Sequence, residues 1–292
     1  MKNKLLYTAL SIFFCLQETT HYISTSEFIE KFGQEGIDLL RKAEEDYTPS
    51  YSIKYFDDSL RIEGDITLEM YEEIKETLEI KTVNRFLISS PGGDIDASLK
   101  IGYLIYSKNI AVEIIDYCVS SCANYLFTAA KQKKIHDGAI VVWHGNSEQK
   151  DWREFDLCGR TVSSFDGMPM SEDEIKELSQ LSEKKEWKKR RKKESDFYKT
   201  IKVNDYIARV GQEPIFLGNF TMSISDMSKF GLKNIYAPVD YASENYCKDA
   251  RKSFPSLICM SVTEHHLNYE KSRKLYGESC SEDGRLFINS HK

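Results

Sequence analysis

Apolar and polar positions change period several times along this chain. Ser59-Leu60-Arg61-Ile62-Glu63-Gly64 alternates and stops at a glycine, which predicts a short strand. Thr67 then caps a predicted helix in which Tyr71, Ile74 and Leu78 share a face. Val83 to Ile88 is a continuous apolar stretch, read as a buried strand and broken by Pro91-Gly92-Gly93. Ile95 to Ser107 follows as a helix turning Leu99, Gly102 and Ile105 or Tyr106 inward. Ala111 to Ile115 reads as a strand, Ser121 to Ala130 as a buried helix, and Ala139 to Trp143 as a strand with His144 at its carboxyl end. Strand and helix periods thus alternate between Tyr51 and Ile140, the mark of an α/β fold with right-handed crossovers.

The pattern changes after His144. Asn146 to Met170 is polar and loop-like, and 171–210 is a charged helical segment. Ser223 to Gly231 predicts a short helix stopped by glycine, with a strand near Asn234 to Tyr236. Residues 238–292 hold three cysteines and little periodicity, and are expected to form an appended tail. Upstream, Ser24-Thr25-Ser26-Glu27 has capping-box spacing and opens a helix to about Ala43, and Tyr47 to Tyr51 reads as a linker. The predicted divisions are 1–22, 23–50, 51–237 and 238–292.

The first of these looks like a targeting segment. Met1-Lys2-Asn3-Lys4 precedes an apolar run from Leu5 to Leu16, the n-region and h-region of a secretory signal. The run is short for a bilayer span, no Ala-x-Ala site follows, and bulky Phe14 is a poor neighbour for a lipid-bearing Cys15. The expectation is an exported chain of the periplasm or cell envelope, with a membrane contact open to it through the N-terminus.

With 41% hydrophobic residues, 12% aromatics and 292 residues, the chain can fill a sizeable core. A net charge of −6 gives no argument for a nucleic-acid partner, and none is expected. Lys184 to Lys193 is a basic run around Trp187; a contact with nucleic acid or anionic lipid is one reading, and a solvated helix face paired with the acidic 172–183 stretch is the one preferred. Apart from Cys15, the cysteines are Cys118, Cys122, Cys158, Cys247, Cys259 and Cys280; an even number in an exported chain permits disulfides. Cys118 and Cys122 fit a bridge and a pair of buried thiols equally well. No metal-ligand spacing and no phosphate loop is present, so no cofactor is expected; His265-His266 and His136 read as surface residues.

The chemistry concentrates in three places. Ser89-Ser90-Pro91-Gly92-Gly93-Asp94 is a glycine turn after a strand, Ser121 begins the apolar helix, and His144 follows a strand. A serine hydroxyl needs a base to become a nucleophile, and an imidazole can serve near neutral pH. The oxyanion formed by attack on a carbonyl needs fixed donors. The N–H groups of Gly93 and Cys122 are candidates, the second at a helix N-terminus just after the nucleophile. Gly92 and Asp94 flank Gly93 and would line the substrate path, with Asp94 and Asp96 capping the next helix. Ser120 is the alternative nucleophile one residue away.

These residues resemble a known family. Ser-Ser-Pro-Gly-Gly-Asp at 89–94, the Ser121-Cys122-Ala123-Asn124-Tyr125-Leu126-Phe127-Thr128-Ala129-Ala130 segment and Val141-Val142-Trp143-His144 look like the proteolytic subunit of the Clp protease and its exported relatives. Phe230-Gly231-Leu232 with Asn234-Ile235 looks like that family's closing segment. The resemblance runs from about Ser59 to Ile235. It implies a Clp/crotonase-type spiral of strand-strand-helix units, a serine peptidase acting on peptide or protein substrates, and assembly into homo-oligomers. It implies Ser121 as nucleophile, His144 as base and Gly93 and Cys122 as the oxyanion hole. In the family the charged stretch after the base is an inter-subunit helix, which predicts a contact with a second subunit. The family's third residue is an aspartate, and the matching position here is Asn219, which brings no charge. A Ser–His dyad or a nearby acid such as Asp226 are the alternatives to it.

Other readings fit less well. An α/β-hydrolase would need Gly-x-Ser-x-Gly and an acid before the histidine. A crotonase acting on acyl-CoA would not need Ser121 with His144. A Clp-like fold without catalysis, binding peptides or partners, is the strongest competitor.

Overall fold

The computed structural model describes residues 47–148, 185–212, 219–255 and 257–277, together with the backbone of four short strands between 155 and 169. The expected leader at 1–22 and the helix from Ser24 lie outside the described residues. Among the described residues, no helix is long and apolar enough to cross a membrane.

The chain forms a mixed α/β structure around a mostly parallel sheet. Strand β1 (Tyr51–Phe56) turns back antiparallel onto β2 (Ser59–Gly64) through Asp57 and Asp58, both with positive φ. Aspartate tolerates that conformation, which a tight hairpin requires. Helix α1 (Leu68–Ile80) follows, capped by the Thr67 hydroxyl accepting from the Met70 N–H at 3.2 Å. It buries Met70 and Ile74, whereas Tyr71 and Leu78 on the predicted face stay half-buried. Strand β3 (Arg85–Ser90) and helix α2 (Ile95–Lys108) come next. Asp94 caps α2 by accepting from the Ala97 N–H at 2.7 Å, as expected, while Asp96 in its first turn pairs with Lys193.

Strand β4 (Ala111–Val119) is the backbone of the sheet and is longer than expected. Its first half pairs with β5 (Lys133–Ile135) and its last three residues with β6 (Ile140–Val142), all parallel. The sheet runs β1-β2-β3-β4-β5 and ends on β12 (Ile235–Tyr236), with β6 attached to β4. Between β4 and β5 lies a π-helix (Cys122–Phe127), buried at every residue, where an ordinary buried helix was expected.

Four short strands, β7 (Phe155–Leu157), β8 (Arg160–Val162), β9 (Ser164–Phe165) and β10 (Met168–Pro169), pair antiparallel two by two. The charged helix α3 (Lys185–Ile201) then packs along α2 through Phe197, whose ring meets the edge of Tyr103 at 5.1 Å. Gly102 permits that approach, since a Cβ there would stand 2.7 Å from the Tyr125 carbonyl oxygen and 2.9 Å from Phe197.

The segment from 238, described to 277, joins the core rather than forming a separate tail. It follows β11 (Phe220–Met222), helix α4 (Ile224–Lys229) and β12, and adds helix α5 (Glu244–Ala250), β13 (Ile258–Met260) and helix α6 (Tyr269–Gly277). Strand β13 lies parallel to β11, and a Cys247–Cys259 disulfide ties it to α5. The buried Tyr241 hydroxyl accepts from the Val141 N–H at 3.1 Å and reaches Thr221 at 3.1 Å. These contacts come from residues far apart in sequence, so no local period announced them.

Lys133 is a buried cation at the start of β5. Its ammonium donates to the Ala130 and Lys233 carbonyls, and burial pulls its pKa from 10.5 down to about 8. A lysine whose folded pKa is lowered loses its proton earlier in the folded chain than in the unfolded one. Its penalty is therefore complete below about pH 8 and relieved as pH rises toward 10.5. Denaturant unfolding should show Lys133→Met more stable than the wild type at neutral pH, with the difference shrinking between about pH 8 and 10.5. A difference that does not vary across that window would count against the buried charge.

Candidate active site

The glycine turn after β3 is shaped by close contact on two sides. Gly92 has φ 100° and a Cβ there would stand 2.7 Å from the Val119 carbonyl oxygen and 2.9 Å from the Ser121 nitrogen. Gly93 has φ 143° and a Cβ there would stand 2.3 Å from the Ile66 carbonyl oxygen. Only glycine satisfies both the backbone region and the space. Ile66 forms a parallel bridge with Gly93: its N–H donates to the Gly92 carbonyl at 2.7 Å and its carbonyl accepts from the Asp94 N–H at 2.8 Å. In trans peptides the N–H and C=O point oppositely, so the bridge turns Gly93's own N–H and C=O away from Ile66. That is the side where Ser121 lies, because the Ser121 hydroxyl donates to the Gly93 carbonyl at 2.9 Å.

Ser121 stands at a sharp strand-to-helix junction. β4 ends at Val119, Ser120 takes φ 57°, and Ser121 enters the right-handed region at the head of the π-helix. Holding a serine at positive φ costs about 1–3 kcal/mol, which the surroundings must offset. The Ser120 N–H donates to the Val142 carbonyl at 3.0 Å, and its Oγ-bearing carbon faces Gly92. Ser121 itself is only 3% exposed. The Cys122 N–H lies in the first turn of the helix, where no intrahelical acceptor exists. Cys118 and Cys122 are joined by a disulfide with Cα atoms 5.3 Å apart, which decides between the two readings left open by the sequence.

His144 leaves the sheet at the same edge. Val119 pairs with Val142, so Ser121 and His144 each follow a paired residue by two positions on neighbouring parallel strands. Trp143 pairs antiparallel with Phe220 through two bonds of 2.9 Å, and its indole stacks on the Phe220 ring at 6.2 Å. Antiparallel register then sets residue 144 opposite residue 219. Asn219 is held in turn by its carbonyl, which accepts from the Ile258 N–H of β13 at 2.8 Å. The fold therefore gathers Gly93, Ser121, Cys122, His144 and Asn219 at one edge of the sheet.

Asp226, the alternative acid, is committed elsewhere. Its carboxylate accepts from Ser223 at 2.9 Å and pairs with Lys229 at 2.7 Å inside α4. His266, expected at the surface, is buried: its Nδ1 accepts from the Thr263 N–H at 3.0 Å, and burial lowers its pKa. His136, expected to be solvated, is half-buried with Nε2 2.7 Å from Glu113. Cys158, Cys280 and the acidic 172–183 stretch lie outside the described residues. Among the described residues, no cluster of three or more His, Cys, Asp or Glu is arranged to hold a metal.

Pattern reading missed the residues that hold the loop after His144. Asn124, inside the π-helix, donates from Nδ2 to the Gly145 carbonyl at 2.7 Å, while the Gly145 N–H donates to Ala208 at 2.8 Å. Glu194 of α3, 1% exposed, accepts from the Ser147 hydroxyl at 2.6 Å and from its N–H at 3.3 Å. Burial raises the Glu194 pKa, with the Ser147 bonds opposing that rise. Arg191 donates from Nε to the Ser147 carbonyl at 3.0 Å. A glutamate inside a strongly charged helix gives no sequence signal of burial; only its helical spacing to Phe197, Tyr198 and Ile201 hinted at one face.

A cleft of about 490 Å³ opens beside the glycine turn, lined by Tyr47, Tyr51, Ile66, Leu68, Gly93 and Asp94 among others.

No family model matches this chain, and no curated protein matches it. Among solved structures, a membrane-bound stomatin-specific protease (1510-N, in a serine-to-alanine mutant form) is similar at 14% identity. The likeness covers 70% of this chain and 96% of that one with a TM-score of 0.35, which is too low to carry an argument about fold or activity.

Replacing Gly92 by alanine should destabilise the chain by about 2 kcal/mol or more, because strain at positive φ adds to a clash with backbone atoms. Thermal unfolding of Gly92→Ala would measure this, with Gly138→Ala, where nothing stands within 4 Å, as the comparison for φ strain alone. Equal losses in the two variants would count against the close approach.

Proposed function

We propose that this chain is a serine peptidase that cleaves peptide bonds through an acyl-enzyme. The observation that carries the reading is the common sheet edge: a half-buried imidazole and a serine hydroxyl leave neighbouring parallel strands in the same register. Ser121 attacks the substrate carbonyl, passing its proton to His144. Negative charge then develops on the carbonyl oxygen, where the N–H groups of Gly93 and Cys122 receive it. One such donor contributes roughly 10²–10³ in rate. His144 returns the proton to the leaving amine, and water repeats the sequence on the acyl-enzyme. The cleft lined by Gly93 and Asp94 takes substrate side chains, with Gly92 next to it in the chain.

In the resting geometry the Ser121 proton points at the Gly93 carbonyl. Rotation about the serine side-chain bond would free that proton for transfer to the imidazole. Asn219 stands opposite His144 and can accept from a ring N–H through its amide oxygen. It offers no charge to the imidazolium, so turnover should be slow. The resting hydrogen bond and the missing charge together support a second reading: the same cleft binds peptides without cleaving them.

The wider proposal is an exported envelope protein that acts as a homo-oligomer in a Clp/crotonase-type spiral, without nucleic acid or cofactor. The two disulfides among the described residues fit an oxidising compartment.

A fluorophosphonate should label the wild type at Ser121 and leave Ser121→Ala unlabelled, and His144→Ala should label at least tenfold more slowly. The Asn219→Asp variant should react faster than wild type, since the reverse change in a serine protease triad costs about 10⁴ in kcat. Labelling absent in both the wild type and Asn219→Asp would favour the binding role.

A further inference from the structure

We infer that the Cys118–Cys122 disulfide is a positioning bond for the nucleophile, and that Ser121 reaches full reactivity only in the oxidised chain. The inference rests on the proposed hydrolase reading and adds a redox condition to it. The turn that aims Ser121 reads Val119-Ser120-Ser121-Cys122, with Ser120 at φ 57° and no glycine to accept that conformation freely. The disulfide spans this turn. Cys118 is anchored on both sides within the sheet, opposite Ser90 in β3 and Val141 in β6. Cys122 begins the π-helix and carries the N–H proposed as the second oxyanion donor. The bond therefore fixes the distance from the sheet to that amide, with Ser121 held between its two ends.

Two features separate a positioning role from general stabilisation. A bridge across four positions closes a small loop, and small loops remove little entropy from the unfolded chain. Its effect should therefore fall on local geometry more than on the melting temperature. Both cysteines are also fully buried, so a reductant reaches the bond only after the turn opens. The bond is thus expected to persist in the native state and to be made once, during folding. With oxidised glutathione as oxidant, the two thiols lose two electrons and two protons, forming one protein disulfide and two molecules of glutathione.

The test uses the full chain. A non-reduced digest analysed by mass spectrometry should yield the Cys118–Cys122 linked peptide. The second-order rate of fluorophosphonate labelling is then compared between wild type and Cys118→Ala/Cys122→Ala, both checked for fold by circular dichroism and melting. The variant keeps the residue 122 N–H, so the comparison isolates the bond. Labelling of the folded variant should fall at least tenfold, against a shift of a few degrees in melting. Should the variant fail to fold, wild type refolded in dithiothreitol and wild type refolded with oxidised glutathione take its place. The first should label slowly, and unfolding it and refolding it with oxidised glutathione should restore the rate; failure of the rate to recover once the linked peptide is regained overturns the inference. Labelling of the bond-free chain within twofold of wild type overturns it while leaving the hydrolase reading intact. A wild type that does not label overturns both, and absence of the linked peptide overturns the inference alone.

Discussion

Everything at the candidate site depends on the way β4 is shared. A strand of nine residues pairs first with β5 and then with β6, so its carboxyl end is gripped by a different neighbour from its amino end. Parallel pairing sends both β4 and β6 out of the sheet at the same edge. That shared exit sets Ser121 and His144 each two residues beyond a paired position, and a slip of register between the two strands would offset them. Ligand sites in open parallel sheets lie beyond the carboxyl ends of the strands for the same reason.

A second layer of contacts holds the exits still. The glycine turn is seated on Ile66 from one side and on the Ser120–Ser121 backbone from the other, at distances no side chain would allow. The loop after His144 is held by Asn124, Ala208, Arg191 and the buried Glu194. Burying a carboxylate is costly unless its oxygens are matched by donors, and Ser147 supplies two. The charged helix α3 thereby serves the site in its own chain, whatever else its exposed lysines meet.

The third contribution comes from the C-terminal segment. Strand β13 lies alongside β11, one residue from Asn219, and Tyr241 ties the same region to β6. The strand that sets Asn219 opposite His144 is thus supported by residues from the last part of the chain.

Much of the sheet was legible in sequence: β2, β3, β6, α2 and the short helix after Ser223 lie close to where apolar period, caps and glycines set them, because those signals act within a few residues. The Pro-Gly-Gly turn, Ser121 and His144 also stood out, since each closes an apolar run. Strand β1 escaped because its hairpin turns on Asp57-Asp58 rather than on glycine. Strands β5, β11 and β13 escaped because three residues are too few to show a period. The disulfide choice, the burial of Glu194 and His266, and the engagement of Asp226 were settled only by folding. The sequence by itself determined the α/β alternation and the residue types able to do chemistry, which depend on local propensity and side-chain chemistry. The tertiary structure alone decided which of them share one end of the sheet, because parallel pairing and the Trp143–Phe220 bridge join positions whose separation along the chain no local pattern records.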